Sequence, residues 1–483
     1  MVSAKHVVYY VFHPAELRSM VQWKVWHDPV HARDKDNEPA SIAKCYYYLD
    51  KTSRSFSFVI QELHPELKLV VALFYLILRG LDTIEDDMTI PLNKKLPLLR
   101  DFNTILEKDG WNFTGNGPTE RDRELLVNFE VVIEEYKKIK PAYKVIVNDI
   151  TKRMGDGMAK YAIFAEENKY VESLHDYDEY CFFVAGILGE GLTRLFVEAK
   201  LGNSLLLERS YLHRSMGLFL QKTNILRDVR EDFDDDKRWW PTEIWSKHVD
   251  NFQDLFKPEN KQKALQCSSE MVLNALGHVE ECLFYLLGLK EQSVFNFCAI
   301  PQSMAIATLE LCFQNYAVFQ RNVKITRGQA CQLMIESTQD QKKLFEIFRR
   351  HTRRILKKND PRDPNYLKIS MACARIEKFI MTMFPENDPK PEQKSEVDAS
   401  VSVDDAKAIQ KAASREAQLD TVYMAFSVAS ILVFMSLAMI SIAYIFGARF
   451  DIVFDQLVQS TFNPFRVQDG AATVIRKYDH GEL

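Results

Sequence analysis

The chain has 483 residues, 47% of them hydrophobic, with 31 Phe and 19 Tyr but only 17 Gly and 17 Pro. That mixture suits long helices around a large core and excludes a disordered or loop-rich chain. A formal net charge of −5 forces no basic face, so nucleic acid is not expected as a partner, and eight scattered cysteines without a CxxC pair exclude a zinc or disulfide framework and fit a reducing, cytosol-facing compartment.

Taken in chain order, the start up to Pro14 carries only a short apolar run, HVVYYVF, too short for a signal-sequence core. Leu67–Leu81 is apolar almost all round and reads as a helix at the centre of a bundle. Arg79 interrupts it, either to grip a phosphate through its guanidinium fork or to pair with Asp82; the local sequence supports both equally. The acidic run DTIEDD follows at 82–87, and Asp82, Glu85 and Asp86 (i, i+3, i+4) fall on one helix face. Further helices are expected over 121–138, 143–160, 176–199, 209–231, 261–289 and 302–318, and no alternating strand pattern recurs, so the fold class is all-α. Gly186, Gly189 and Gly191 (GILGEG) sit inside a helical pattern without a preceding strand. They read as small residues for close helix packing, and any dinucleotide must bind without a Rossmann unit.

The second acidic run closes LFLQKTNILRDVREDFDDDKRWWP. Gln221, Asn224, Asp228 and Asp232 form a polar stripe on an otherwise apolar helix, while Asp234–Asp236 read as a solvated turn. Beyond Pro385 the composition turns polar and proline-containing. We expect a domain over 1–385, a linker and amphipathic lead-in over 386–420, a transmembrane helix over 421–448 and a short tail over 449–483. The 28 uncharged residues 421–448 would reach roughly 42 Å as a helix, against about 30 Å of hydrocarbon. Lys407, Lys411 and Arg415 before the span favour keeping the large domain in the cytosol. The closing HGEL has a partial likeness to a retrieval signal, with the wrong residue at its second position.

Carboxylates at the C-terminal end of an apolar helix stand against the helix dipole, and burying them unpaired costs several kcal/mol each. Divalent cations would remove that penalty. Asp82, Glu85, Asp86, Asn224, Asp228 and Asp232 are therefore the candidate Mg²⁺ ligands, with a diphosphate held between the two stripes. Arg54, Arg79 and Arg227 flank them and are candidate phosphate contacts, as is Gln221.

Several long blocks occur in the order found in squalene synthases: SRSF at 53–56, FYLILRGLDTIEDDM at 74–88, MGLFLQKTNILRD at 216–228 and QSVFNFCAIPQSMAIATLE at 292–310. From about residue 40 to 335, and in its C-terminal anchor, the chain resembles that family, its fungal members in particular. The resemblance implies an isoprenoid-synthase-type helical bundle with a C-terminal transmembrane helix. It implies condensation of two farnesyl diphosphates head to head into presqualene diphosphate, then reduction by NADPH to squalene, the first committed step of sterol biosynthesis. It also implies a monomer anchored by a single pass in the endoplasmic reticulum membrane, its catalytic domain facing the cytosol, with Mg²⁺ and NADPH as cofactors.

By matching position, Tyr180 would transfer a proton in the first half-reaction, and Phe295 and Phe297 would stabilise carbocations in the second. Arg54, Arg79, Arg227 and Lys324, with Arg327 beside them, would contact diphosphate or NADPH. The chain departs from the family pattern twice: Phe182-Phe183 replaces a His-Tyr pair after Tyr180-Cys181, and Thr326 stands where an arginine is usual. The alternative reading is a phytoene or dehydrosqualene synthase, which shares the acidic stripes but omits the reduction.

Overall fold

The computed structural model describes residues 9–10, 12–53, 56–167 and 169–385. Arg54, the linker over 386–420, the apolar segment 421–448 and the tail over 449–483 lie outside the described residues. The chain divides into two units, Glu16–Lys390 and Met1–Ala15 with Pro391–Leu483, and the first holds almost everything described.

The apolar run at 67–81 becomes helix α1, Pro65–Asp86. Pro65 fixes φ at its first turn, and the His64 side chain accepts from the Glu66 amide at 3.2 Å. Leu67, Val70, Val71, Leu73, Phe74, Leu76 and Ile77 are all buried, which explains a helix apolar on every side. It stops at Asp87, whose carboxylate accepts from the amides of Thr89 (2.8 Å) and Gly117 (2.9 Å) and so turns the chain away.

Later in the chain come α2 (Pro141–Glu166), α3 (Leu174–Cys181), α4 (Ile187–Glu198), α5 (Ser210–Arg227), α6 (Val229–Asp234), α7 (Val279–Leu287) and α8 (Gln292–Cys312), of which α2 and α4 pack against α1. Helices α9 (Arg327–Ser337), α10 (Gln341–Lys358) and α11 (Tyr366–Met383) follow, and no strand occurs among the described residues. Helix α5 is the hub, packed against α3, α4, α7 and α8. Its inward residues include Leu212, Leu218, Phe219, Ile225 and Leu226, each worth roughly 1.5–3 kcal/mol when fully buried.

Two glycines allow that hub to close. A Cβ at Gly189 of α4 would collide with the His213 carbonyl oxygen of α5, and one at Gly217 would collide with the Ala185 carbonyl. The GILGEG glycines thus serve helix contact. By length and composition, 174–198 and 292–312 could each cross a membrane, but 72% of the second window is buried inside the bundle.

Four expected helices are subdivided. The 121–138 segment forms Arg123–Val127 and Glu130–Lys138, and 261–289 breaks after Leu276 before resuming as α7. The 176–199 segment is α3 and α4 joined by a π-helical turn, Phe182–Gly186. The 209–231 segment breaks at Asp228, whose φ −95° and ψ 7° cap α5 before α6 starts. The 302–318 helix instead begins at Gln292, capped by the Glu291 carboxylate on the Val294 amide.

Candidate active site

The C-terminal ends of α1 and α5, with α6, deliver both acidic stripes to one chamber of about 200 Å³. Asp82, Glu85 and Asp86 line it from α1; Gln221, Asn224, Asp228 and Asp232 line it from α5 and α6. The break at Asp228 does not scatter the second stripe. Asp228 still donates its amide to Asn224 O and accepts from Asp232 N, both at 2.8 Å, so helical phase is nearly kept.

The chamber holds more carboxylates than paired cations, and Glu85 and Asp232 have no ion-pair partner among the described residues. Burial pushes Asp82 up to about 7, against the pull of Arg79, whose Nη1 lies 3.5 Å from Oδ2. Asp82 keeps 29% of its side-chain surface open, but that surface is the chamber wall. Burial also raises Asp232 to about 7, with Asp228 adding repulsion, and raises Glu85, with Asp86 adding to it. Two further cations meet the chamber's carboxylates: Lys237 Nζ lies 2.6 Å from Asp86 Oδ1, and Arg227 Nε lies 2.8 Å from Asp228 Oδ1.

No three acidic, cysteine or histidine side chains among the described residues converge tightly enough to enclose an ion alone. The arrangement fits Mg²⁺ in another way. Paired carboxylates with raised proton affinity line an open chamber, and octahedral Mg²⁺ takes one or two of them and completes its shell with phosphate and water oxygens.

An apolar cavity of about 260 Å³ adjoins the chamber, and Asp82, Val184, Gln221 and Asn224 line both. Its walls include Phe74, Leu78, Leu188, Leu192, Phe196 and Phe297. A charged head and a hydrocarbon tail could therefore be held together, one in each compartment.

The predicted site residues fall into four groups. Asp82, Glu85, Asp86, Tyr180, Gln221, Asn224, Asp228 and Asp232 line the acidic chamber, and Arg79 and Phe297 line the apolar cavity. Arg227 lines neither; its Nε donates to Asp228 Oδ1 at 2.8 Å. Phe295, 4% exposed, is buried in the core and lines neither. Lys324 and Arg327 are exposed and also line neither cavity. Arg54 lies outside the described residues.

Arg79 Nη1 lies 3.5 Å from Asp82 and its Nη2 donates to the Tyr75 hydroxyl at 3.1 Å, while its side chain lines the apolar cavity. Phe182 and Phe183 give Tyr180 no polar partner. The Phe182 ring lies 4.8 Å from the Arg214 guanidinium, and Phe183 lies over Gly157.

Three residues of the chamber region escaped the sequence reading. Lys237 and Trp239 line the chamber from KRWW, directly after the second acidic run. Position next to that run was the available signal. Asn322 Nδ2 donates to Asp228 Oδ1 at 2.7 Å and to Glu231, tying the loop that carries Lys324 to the second stripe. Nothing in its local sequence marked it.

Comparison with known proteins agrees with this geometry. The squalene/phytoene synthase family model matches residues 49–329. A probable squalene synthase of Neurospora crassa is 56% identical over 467 residues, covering 96% of this chain and 95% of its own. A squalene synthase of Schizosaccharomyces pombe is 51% identical over 372 residues, covering 77% of this chain and 81% of its own. Among solved structures, TcSQS in complex with the ligand E5700 superposes with a TM-score of 0.68 at 38% identity, covering 71% of this chain and 99% of that one. With an all-helical bundle, two facing acidic stripes and relatives matched over nearly the whole length, the chain belongs to the squalene/phytoene synthase family, among its squalene synthases.

Proposed function

We propose that the chain is a farnesyl-diphosphate farnesyltransferase: it joins two farnesyl diphosphates head to head into presqualene diphosphate and reduces that to squalene with NADPH. The observation that carries this reading is the pair of compartments sharing Asp82, Val184, Gln221 and Asn224, one acidic and one apolar. Relatives named squalene synthase support the assignment.

When bound, Mg²⁺ would supply the charge that stabilises a departing diphosphate, and NADPH would supply the hydride of the second half-reaction. The chain's own residues do the rest. Asp82, Glu85, Asp86, Asn224, Asp228 and Asp232 offer oxygens from two sides of the chamber, so a diphosphate between them is gripped from both. Lys237, already on Asp86, adds an ammonium at the rim. Tyr180 keeps its proton on the phenol oxygen, because burial and the nearby Glu85 carboxylate disfavour the phenolate. Phe297, with Phe196 at 6.0 Å, presents ring faces and edges beside the hydrocarbon, which can attract a carbocation without attacking it. The apolar walls keep water from quenching that cation.

Lys324 and Arg327 are the residues we assign to NADPH phosphates. Their loop reaches the chamber through Asn322, which supports placing the cofactor beside the second stripe. The uncharged segment 421–448 supports a single-pass anchor, with domain, linker, anchor and tail divided as the composition suggests. An apolar product leaving into a bilayer gives that anchor a purpose.

Incubating the purified protein with farnesyl diphosphate and Mg²⁺, with and without NADPH, tests the assignment. Squalene is expected only with NADPH. Squalene made equally without it, or no diphosphate release under either condition, would contradict the reading.

A further inference from the structure

Tyr180 is held in an unusual way. No hydrogen bond fixes its hydroxyl among the described residues, although the ring is only 7% exposed and lines the acidic chamber. Its orientation therefore comes from ring packing. On one side the Tyr161 ring meets it edge-on at 5.0 Å and 73°; on the other the Trp239 indole lies flat against it at 4.1 Å and 8°. The π-helical turn that follows provides no substitute, because Phe182 and Phe183 pack toward Arg214 and Gly157.

The indole is itself fixed on both flanks. Before it, the left-handed Asp236 (φ +57°) turns the chain, and the Lys237 amide donates to Asp232 O at 2.8 Å. After it, Trp240 is 1% exposed and its Nε1 donates to Ile225 O at 3.3 Å. Next, Thr242 N and Glu243 N donate to Val171 O (2.9 Å) and Glu172 O (2.8 Å), and the Glu243 carboxylate accepts from Leu174 N at 2.8 Å. Residues 237–243 thus form a strap. It is clipped to the start of α3, pinned in the core by Trp240, and laid across the end of α3 at Tyr180.

We propose that Trp239 is a positioning residue for the first half-reaction: its stacked indole, carried on this strap, sets the direction of the Tyr180 hydroxyl in the acidic chamber. The inference rests on the role assigned to Tyr180 above. A flat aromatic partner restricts ring tilt, and a proton-transfer group displaced by about 1 Å loses on the order of a hundredfold in rate. The effect belongs in kcat of the first half-reaction, because Trp239 fixes Tyr180 while the acidic stripes hold the diphosphate.

The test uses the full-length protein, with presqualene diphosphate formation and the reduction of supplied presqualene diphosphate measured separately. Trp239→Leu should lower kcat for presqualene diphosphate formation about tenfold or more, leaving KM for farnesyl diphosphate and the reduction rate within about threefold. Trp239→Phe should restore most of the loss, because a flat ring returns. In a Tyr180→Phe background, Trp239→Leu should add almost nothing, since the two changes act on one group. Trp240→Phe serves as the control for general damage to the strap, expected to lower thermal stability without splitting the half-reactions. Equal losses in both half-reactions, an effect carried by KM, failure of Phe to rescue, or additive losses with Tyr180→Phe would each overturn the proposal. If Tyr180→Phe alone leaves presqualene diphosphate formation intact, the role of Tyr180 itself falls; if only the Trp239 variants are silent, that role stands and this inference falls.

Discussion

Glu310 on α8 and two carboxylates of the acidic chamber, Asp82 and Asp232, are all partly buried in the same bundle, yet they are treated in opposite ways. Glu310, 13% exposed, is met by Lys358, by His351 at 3.2 Å and by Arg354 at 3.8 Å. Burial alone would raise it, but His351 and Lys358 pull it down to about 2. In the chamber burial wins: Asp82 and Asp232 rise to about 7, with only Arg79 and Lys237 close by. A carboxylate that serves the fold is given its cations by the chain. Those left short of cations are where the proposed Mg²⁺ would supply the missing charge, and that distinction separates a structural ion cluster from a candidate site.

The sharpest way to break this comparison is to neutralise each kind of carboxylate. Asp82→Asn and Asp228→Asn should each cut squalene formation by about a hundredfold or more, because each removes a carboxylate proposed to hold the Mg²⁺ that stabilises the leaving group. Asp82→Asn should melt within a few degrees of the parent, since the fold gives that carboxylate only the 3.5 Å contact with Arg79, whereas Asp228→Asn also disturbs the Arg227 and Asn322 contacts and should cost more stability. Near-normal turnover in either variant would remove the metal-site argument. Tyr180→Phe should block presqualene diphosphate formation to a similar or lesser degree; a variant defective only in reduction would refute its assigned role. Glu310→Gln should do the reverse of Asp82→Asn. We expect about 2 kcal/mol of lost stability, since Lys358 and His351 lose their partner, with turnover per folded molecule little changed.

Much of this was legible in the sequence, for identifiable reasons. The α1 stripe could be read because DTIEDD is a strict i, i+3, i+4 set at the end of an unbroken apolar helix. The second stripe could be read only approximately. Its helix breaks at Asp228, where the backbone leaves helical ψ, and no glycine or proline announces the break. The π-helical turn after Tyr180 was equally silent, because FFVAG keeps an apolar helical composition. Long-range partners were out of reach in principle. Asn322 meets Asp228 across 94 positions and Lys237 meets Asp86 across 151, so no local pattern could pair them. The stack of Trp239 on Tyr180 has the same origin.

The smallest effects concern pH, and their signs sharpen the comparison. For Asp82 and Asp232 the folded value (about 7) exceeds the ordinary 3.8, so the folded state binds more protons within that window. Metal-free protein in a chelator should therefore lose stability as pH rises from about 4 to 7. For Glu310 the folded value (about 2) lies below the ordinary 4.5, so its contribution is present above 4.5 and lost as pH falls toward 2. Melting curves across pH should show the first slope flattened by millimolar Mg²⁺ and the second unaffected by it. Opposite behaviour at either end would show that the two classes of carboxylate have been misjudged.

The central claim is that the two stripes act together on one diphosphate. Calorimetric titration of inorganic diphosphate into the full-length protein, in parent, Asp82→Asn, Asp228→Asn and the double variant, tests it directly. Binding should require Mg²⁺, and the single-variant losses should fail to add in the double variant, since either change breaks the shared grip. Binding without Mg²⁺, or strictly additive losses, would mean that the stripes work apart and would contradict it.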